Sequence, residues 1–329
     1  MSRRAVILGC LGARLSQAER QFFAQADPFG FILFARNVES PGQLGALTSD
    51  LRDAVGWRAP ILIDQEGGRV QRMGPPHWRS YLPALDQMTR ARDPMRAVYI
   101  RNRLIAAELH AVGIDVNCAP LADLAEPQTH PVLRNRLYGD DVATVVAAAR
   151  TCAEALLDGG VLPVLKHIPG YGRASVDSHL DLPRVAVPAD ELAGRDFAPF
   201  KALNTMAMGM TAHIVFSDLD AGAPATTSDR VIRLIREEIG FSGLLLSDDI
   251  GMQALSGPIP DRAAACLEAG CDIALHCNGS LDEMRATAAA CRVMDGAANA
   301  RADAALSQRK APQPVDMAAL DAELASLLT

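Results

Sequence analysis

The sequence predicts an α/β fold, a single (β/α)8 TIM-like barrel, on three observations. Eight short apolar runs recur at 5–10 (AVILGC), 30–36 (GFILFAR), 60–64 (PILID), 114–119 (IDVNCA), 161–166 (VLPVLK), 208–215 (MGMTAHIV), 243–247 (GLLLS) and 271–275 (CDIAL). The runs are continuously apolar rather than alternating, which is the pattern of parallel strands covered on both faces. Helical patterns fill the gaps, and about eight strand–helix units in ~280 residues suit a barrel better than an open doubly wound sheet.

Taken in order, the first strand sits in "MSRRAVILGCLG". Two arginines before an apolar stretch look like a secretion signal, but the stretch is too short and polar "ARLSQAERQ" follows at once, so the segment is assigned to the fold. Ser40 and Pro41 open a helix over 40–55, a capping hydroxyl followed by a proline at the first helical position. Residues 95–112, 141–158, 189–203, 228–239 and 261–269 also carry helical patterns. Ser228 reads as the N-cap of "DRVIRLIREEIG" and Gly240 as its stop. After residue 293 the chain is Ala-rich around "KAPQPVD", which predicts one or two peripheral helices. No linker divides the chain. The expectation is one catalytic domain over 1–329, with a core of about 5–293 and a helical tail over 294–329.

Composition narrows the function classes. Of 329 residues, 49% are hydrophobic and 22% charged, with a formal net charge of −7. That is ample apolar material for one large core. No basic stripe with interleaved aromatics speaks for nucleic acid, and no run of ~18 apolar residues speaks for a membrane span. The seven cysteines are odd in number and form no CxxC pair, so neither a disulfide framework nor a zinc site is suggested. They read as small buried hydrophobes of a protein kept in a reducing compartment.

In such barrels the chemistry sits at the carboxyl ends of the strands. The polar residues that follow the runs are Arg36-Asn37, Asp64-Gln65-Glu66, Lys166-His167, His213 and Asp248-Asp249. In "KHIPGYGRASVDSH", 166–179, a strand ends in Lys166 and His167, and Pro169, Gly170 and Gly172 permit a sharp loop. Asp177 and His179, two apart, point the same way if the triplet is extended, so the carboxylate can fix the imidazole tautomer and make an acid/base unit. The plain alternative is a capping carboxylate beside an exposed histidine. In "GFSGLLLSDDIGM", 240–252, adjacent carboxylates at a strand end suit a metal site, a base or a nucleophile, with one facing the barrel mouth and the other outward; the alternative is a helix cap. In "IDQEGGRVQR", 63–72, Asp64 and Arg72 can clamp hydroxyls, while Glu66 reads either as a catalytic carboxylate or as an ion-pair partner of Arg69. His213 is read as a buried, satisfied histidine.

These blocks, with "GFILFARN" and "TAHIVF", occur in order from about residue 8 to 255 and resemble the family 3 glycoside hydrolases, in their single-domain β-N-acetylglucosaminidase branch. The resemblance implies a retaining mechanism in which Asp248 is the nucleophile, His179 the proton donor and acceptor, and Asp177 the residue that orients His179. It implies sugar contacts from Asp64, Arg72, Lys166, His167 and, through "NRLYGDD", Arg136, with Arg134 two residues away as the competing assignment. It implies no metal and no cofactor. The implied substrate is N-acetylglucosamine β-1,4-linked to an anhydro-N-acetylmuramic acid peptide, cleaved in the cytoplasm during peptidoglycan recycling. The sequence departs from the family pattern at Tyr171, between the two loop glycines, and in "SDDIGM". Four rival readings remain: a phosphorylase with the same Asp and His, a broader β-glycosidase of the same family, a metal-dependent barrel hydrolase with Asp64, Asp248 and His residues as ligands, and a sugar-binding module without activity. The oligomeric state is left open.

Overall fold

A computed structural model describes residues 3–174 and 181–329. Eight strand positions form a ring: β1 (Arg4–Gly9), β2 (Pro28–Leu33), β3 (Ile61–Ile63), β4 (Val116–Asn117), β5 (Leu162–Pro163 and Leu165–Ile168, interrupted at Val164), β6 (Met208–Thr211), β7 (Leu244–Asp249) and β8 (Ile273–His276). The first piece of β5 pairs with β4, and the second with β6. The sheet therefore runs from β1 to β8 in chain order and closes, with Val6 of β1 opposite Ala274 of β8. All of its pairings are parallel. Parallel neighbours require long crossovers, and helices on the outside supply them. The apolar runs are continuous because both strand faces are covered: Ala5–Leu8 and Leu244–Leu246 are fully buried.

Local signals set the helix boundaries. Ser40 accepts a hydrogen bond from the Gln43 N–H, Pro41 occupies the first helical turn, and Gly56 ends the helix Pro41–Val55 at φ +71°, a conformation glycine adopts without strain. Ser228 caps Asp229–Glu237 through the Val231 N–H. The helix expected over 189–203 is instead two short ones, Ala189–Gly194 and Ala198–Ala202. Pro199 has no N–H to continue a helix from 195, and the residue before a proline is disfavoured in helical geometry. Among the helices that lie outside the patterns found in the sequence are Gln17–Ala26 and Leu281–Ala290. Each shows few large apolar residues but carries a Ser–Glu capping box, Ser16 with Glu19 and Ser280 with Glu283, and that is the legible start signal for such segments. The run at 208–215 also divides: β6 stops at Thr211, and Val215–Phe216 joins a separate two-stranded ribbon with Arg184–Val185.

Beyond the ring, the tail forms two helices, Gly296–Ser307 and Met317–Leu327, where one or two were expected. The tail is tied down: the Gln313 N–H donates to the Asp158 carbonyl at 2.8 Å, and Arg103 donates to the Gln313 carbonyl at 2.8 Å. Arg96 makes a bidentate pair with Glu323 at 2.7 and 2.8 Å. All seven cysteines are buried and unbridged, as small apolar residues are. Among the described residues, no helix is long and apolar enough to cross a membrane.

Candidate active site

The carboxyl ends of the strands surround a cavity of about 300 Å³. Six of its lining residues are Asp64 after β3, Arg72, Arg136, Lys166 and His167 on β5, and Asp248 on β7. Five of the sequence-derived sugar contacts and the proposed nucleophile thus share one cavity. An apolar wall of Phe34, Met210, Met252 and Leu275 completes it.

On the charged side, Lys166, Arg72 and Arg136 are each matched to a carboxylate. Lys166 Nζ lies 3.0 Å from Asp64 Oδ1 and 2.7 Å from Glu66 Oε1. Arg72 Nη2 donates to Asp64 Oδ2 at 3.2 Å. Arg136 grips Glu66 through both nitrogens of its fork, at 2.9 and 2.8 Å, the bidentate geometry for which arginine is suited. Burial alone would raise the Asp64 and Glu66 carboxyls. Lys166 and Arg72 outweigh it at Asp64, and Arg136 and Lys166 at Glu66, so both lie below the usual carboxylate range. Burial would likewise lower Lys166, but Asp64 and Glu66 hold it above the usual lysine range. Asp64, Lys166 and Arg136 therefore keep fixed charges and fixed positions, which is what a site needs in order to orient a polyol before reaction.

Glu66 is an ion-pair residue, but its partners are Arg136 and Lys166 rather than Arg69 as expected. Arg69 donates to the Val132 carbonyl at 2.9 Å. Arg136 and Arg134 separate cleanly: Arg136 lines the cavity, whereas Arg134 is turned to the Glu126 carbonyl at 2.8 Å in an exposed contact.

The two carboxylates of β7 differ in what holds them. Both line the cavity, where strict strand alternation would have sent one outward. The ladder between β7 and β8 shifts register between Leu246 and Asp249, and such an irregularity re-aims side chains. Asp249 Oδ1 accepts N–H groups from Gly251 at 2.9 Å and Cys277 at 3.1 Å. Burial pushes the Asp249 carboxyl up against these two bonds, and the nearby Asp248 adds to the rise. Among the described residues, the Asp248 carboxylate accepts only the Asp249 N–H, at 2.8 Å. Of the two, it is the carboxylate less engaged by the described residues. His213 is buried and satisfied, as read from the sequence: Nδ1 meets Thr226 Oγ1 at 2.8 Å and Nε2 donates to the Asp249 carbonyl at 2.9 Å. It braces the backbone beside Asp248.

Asp177 and His179 lie outside the described residues. The chain before them is held against the site, with Tyr171 lining the cavity and the Ala174 carbonyl accepting the His130 N–H at 3.0 Å. One residue escaped sequence reasoning. Asp123, after β4, is buried and contacts His167 Nδ1 at 2.8 Å. Its signal was available, since "NCAPLAD" supplies the polar residues that end the fourth strand. Among the described residues, no group of three or more His, Cys, Asp or Glu side chains is placed to hold a metal ion.

The family profile described as glycosyl hydrolase family 3 N terminal domain matches residues 4–308. A beta-hexosaminidase of Alkalilimnicola ehrlichii is 39% identical over 283 residues, 83% of this chain and 80% of that one. A beta-hexosaminidase of Methylococcus capsulatus is 38% identical over 279 residues, 82% and 81% of the two chains. Among solved structures, native NagZ from Neisseria gonorrhoeae matches with a TM-score of 0.87 at 30% identity, covering 100% of this chain and 99% of that chain. The profile spans every strand of the barrel and the two relatives match over about four fifths of each chain, so this chain belongs to glycosyl hydrolase family 3 and is a glycoside hydrolase.

Proposed function

We propose that the chain is a retaining β-N-acetylhexosaminidase acting as one catalytic unit over residues 1–329. The observation that carries this reading is the shared cavity: Asp248 opens into the same space as Asp64, Arg72, Arg136, Lys166 and His167. The named activity of the relatives supports the N-acetylated sugar. In this reading Asp248 attacks the anomeric carbon while His179, oriented by Asp177, protonates the departing oxygen. A glycosyl-aspartate forms. His179, now neutral, takes a proton from water, and the hydroxide so generated releases the sugar with its configuration retained. An imidazole both gives and accepts a proton near neutrality, which suits the double role. The paired charges around Asp64 and Glu66 hold the ring hydroxyls as the oxocarbenium-like transition state develops.

The substrate in this reading is a terminal β-1,4-linked N-acetylglucosamine on an anhydro-N-acetylmuramic acid peptide, released in cytoplasmic peptidoglycan recycling and so linked to cell-wall biogenesis, cell shape and division. Hydrolysis is taken over phosphorolysis from the activity named for the relatives; Arg72, Arg136 and Lys166 are matched to Asp64 and Glu66, whereas Arg69 lines the cavity on a backbone carbonyl and is the cation that a phosphate acceptor would use. The test is product analysis by NMR on an aryl N-acetyl-β-glucosaminide, with and without phosphate. First-formed β-N-acetylglucosamine, unchanged by phosphate, is expected. First-formed α anomer, or a sugar 1-phosphate, overturns the reading.

A further inference from the structure

One buried carboxylate serves two parts of the site. The Asp123 side chain is 0% exposed. Its Oδ2 lies 2.8 Å from His167 Nδ1, and its Oδ1 accepts the backbone N–H of Tyr171 at 2.7 Å. The His167 backbone N–H lies 3.4 and 3.3 Å from the two oxygens. A carboxylate has no proton to give, so the proton of the ring contact belongs to Nδ1. Nε2, across the ring, is the nitrogen left for the cavity that His167 lines.

We propose that Asp123 is a positioning residue for the sugar-hydrolysing reaction. It fixes the tautomer and orientation of His167, so that Nε2 of the neutral ring accepts from a sugar hydroxyl. Through its second oxygen it pins the backbone at Tyr171, ahead of the segment that carries His179. A carboxylate with only a structural task would be served by the backbone N–H groups. The imidazole contact adds a bond with direction, and reversing that direction changes what the ring offers a substrate. The inference rests on the reading of this cavity as the sugar site.

Two measurements test it, and they fail separately. In 15N-labelled protein, long-range nitrogen–proton correlation of the His167 ring, assigned by its loss in His167→Ala, is expected to show Nδ1 protonated and Nε2 bare when the ring is neutral. A ring protonated on Nε2 alone overturns the proposal in the wild-type protein, with no substrate involved. Kinetics on an aryl N-acetylglucosaminide give the second test. In Asp123→Asn the amide oxygen still accepts from Tyr171, but its NH2 faces Nδ1 and drives the proton to Nε2. KM is expected to rise about 10- to 100-fold with little change in kcat, as expected when a buried polar pair is mismatched. The double variant Asp123→Asn/His167→Ala should be no worse than His167→Ala alone. Additive losses, or an unchanged KM in Asp123→Asn, overturn the proposal. Asp123→Ala also releases Tyr171 and should add a kcat loss on unactivated glycosides; identical kinetics for the Asn and Ala variants refute the second half. If wild-type protein hydrolyses no N-acetylhexosaminide, the reading of the cavity fails while the tautomer result still stands or falls by itself.

Discussion

Glu66→Gln removes one charge from the centre of the site network and nothing from its shape. The Glu66 side chain is 6% exposed and meets Arg136 and Lys166, whose side chains are 13% and 3% exposed. Glutamine keeps one acceptor oxygen but turns an NH2 group toward a guanidinium or an ammonium. Removing one partner of a buried pair costs about 3–5 kcal/mol, because the remaining charge is left uncompensated, and here the burial leaves little solvent to screen it. Domains of ordinary stability hold about 5–15 kcal/mol in total. At ~2 °C per kcal/mol, the low end for larger chains, the melting temperature should fall by roughly 6–10 °C. The pH dependence gives an independent check. The folded-state pKa of Glu66 lies below its ordinary value of 4.5, so its stabilising contribution is complete above that value and is lost as pH falls below it. The gap in melting temperature between wild type and variant should therefore be full near neutrality and shrink on acidification below 4.5. Calorimetric scans across pH test both points. A gap under about 2 °C near neutrality, or one that widens in acid, refutes the electrostatic account of this network.

Three further outcomes follow from the same geometry. His179→Ala should lower turnover of unactivated glycosides by about 10²–10⁴-fold, while an activated aryl donor still forms the covalent intermediate, because a good leaving group needs little protonation; equal losses on both substrates contradict the acid role. Arg136→Lys should lower kcat/KM by roughly 10- to 100-fold, because lysine cannot make the bidentate grip on Glu66, whereas Arg134→Ala should stay within about twofold because it alters an exposed contact; the reverse ranking contradicts the assignment of Arg136. Exhaustive treatment with a chelator should leave kcat unchanged on an aryl N-acetylglucosaminide, and loss of activity restored by a divalent cation contradicts the metal-free mechanism.

Much of the ring was legible because parallel strands bury both faces, and runs such as AVILGC and GLLLS are too short for buried helices and too apolar for surface loops. Segments that bury little apolar surface were harder to read. Gln17–Ala26 buries Phe22, Phe23 and Ala26 but also Glu19, so its periodicity is faint and only its capping box marks it. The break at 195–197 depends on Pro199, a local veto that outweighed the surrounding helical pattern. Within the site, residues at strand ends were found by position, including Asp64, Lys166, His167 and Asp248. Partner choice was less accessible. Nothing local to residue 66 says that its carboxylate reaches Arg136 and Lys166 rather than Arg69, three residues on, because that pairing is made by barrel closure. The inward turn of both Asp248 and Asp249 likewise depends on a register shift between neighbouring strands, which no single strand encodes.

The most direct measurement is covalent trapping of the glycosyl-enzyme with a 5-fluoro-N-acetylglucosaminyl fluoride, followed by peptide mapping of the labelled residue. The account predicts one equivalent of sugar esterified to the side chain of Asp248 and no label in Asp248→Ala. Label on Asp249 or Glu66, or rapid turnover of unactivated substrate by Asp248→Ala, contradicts it.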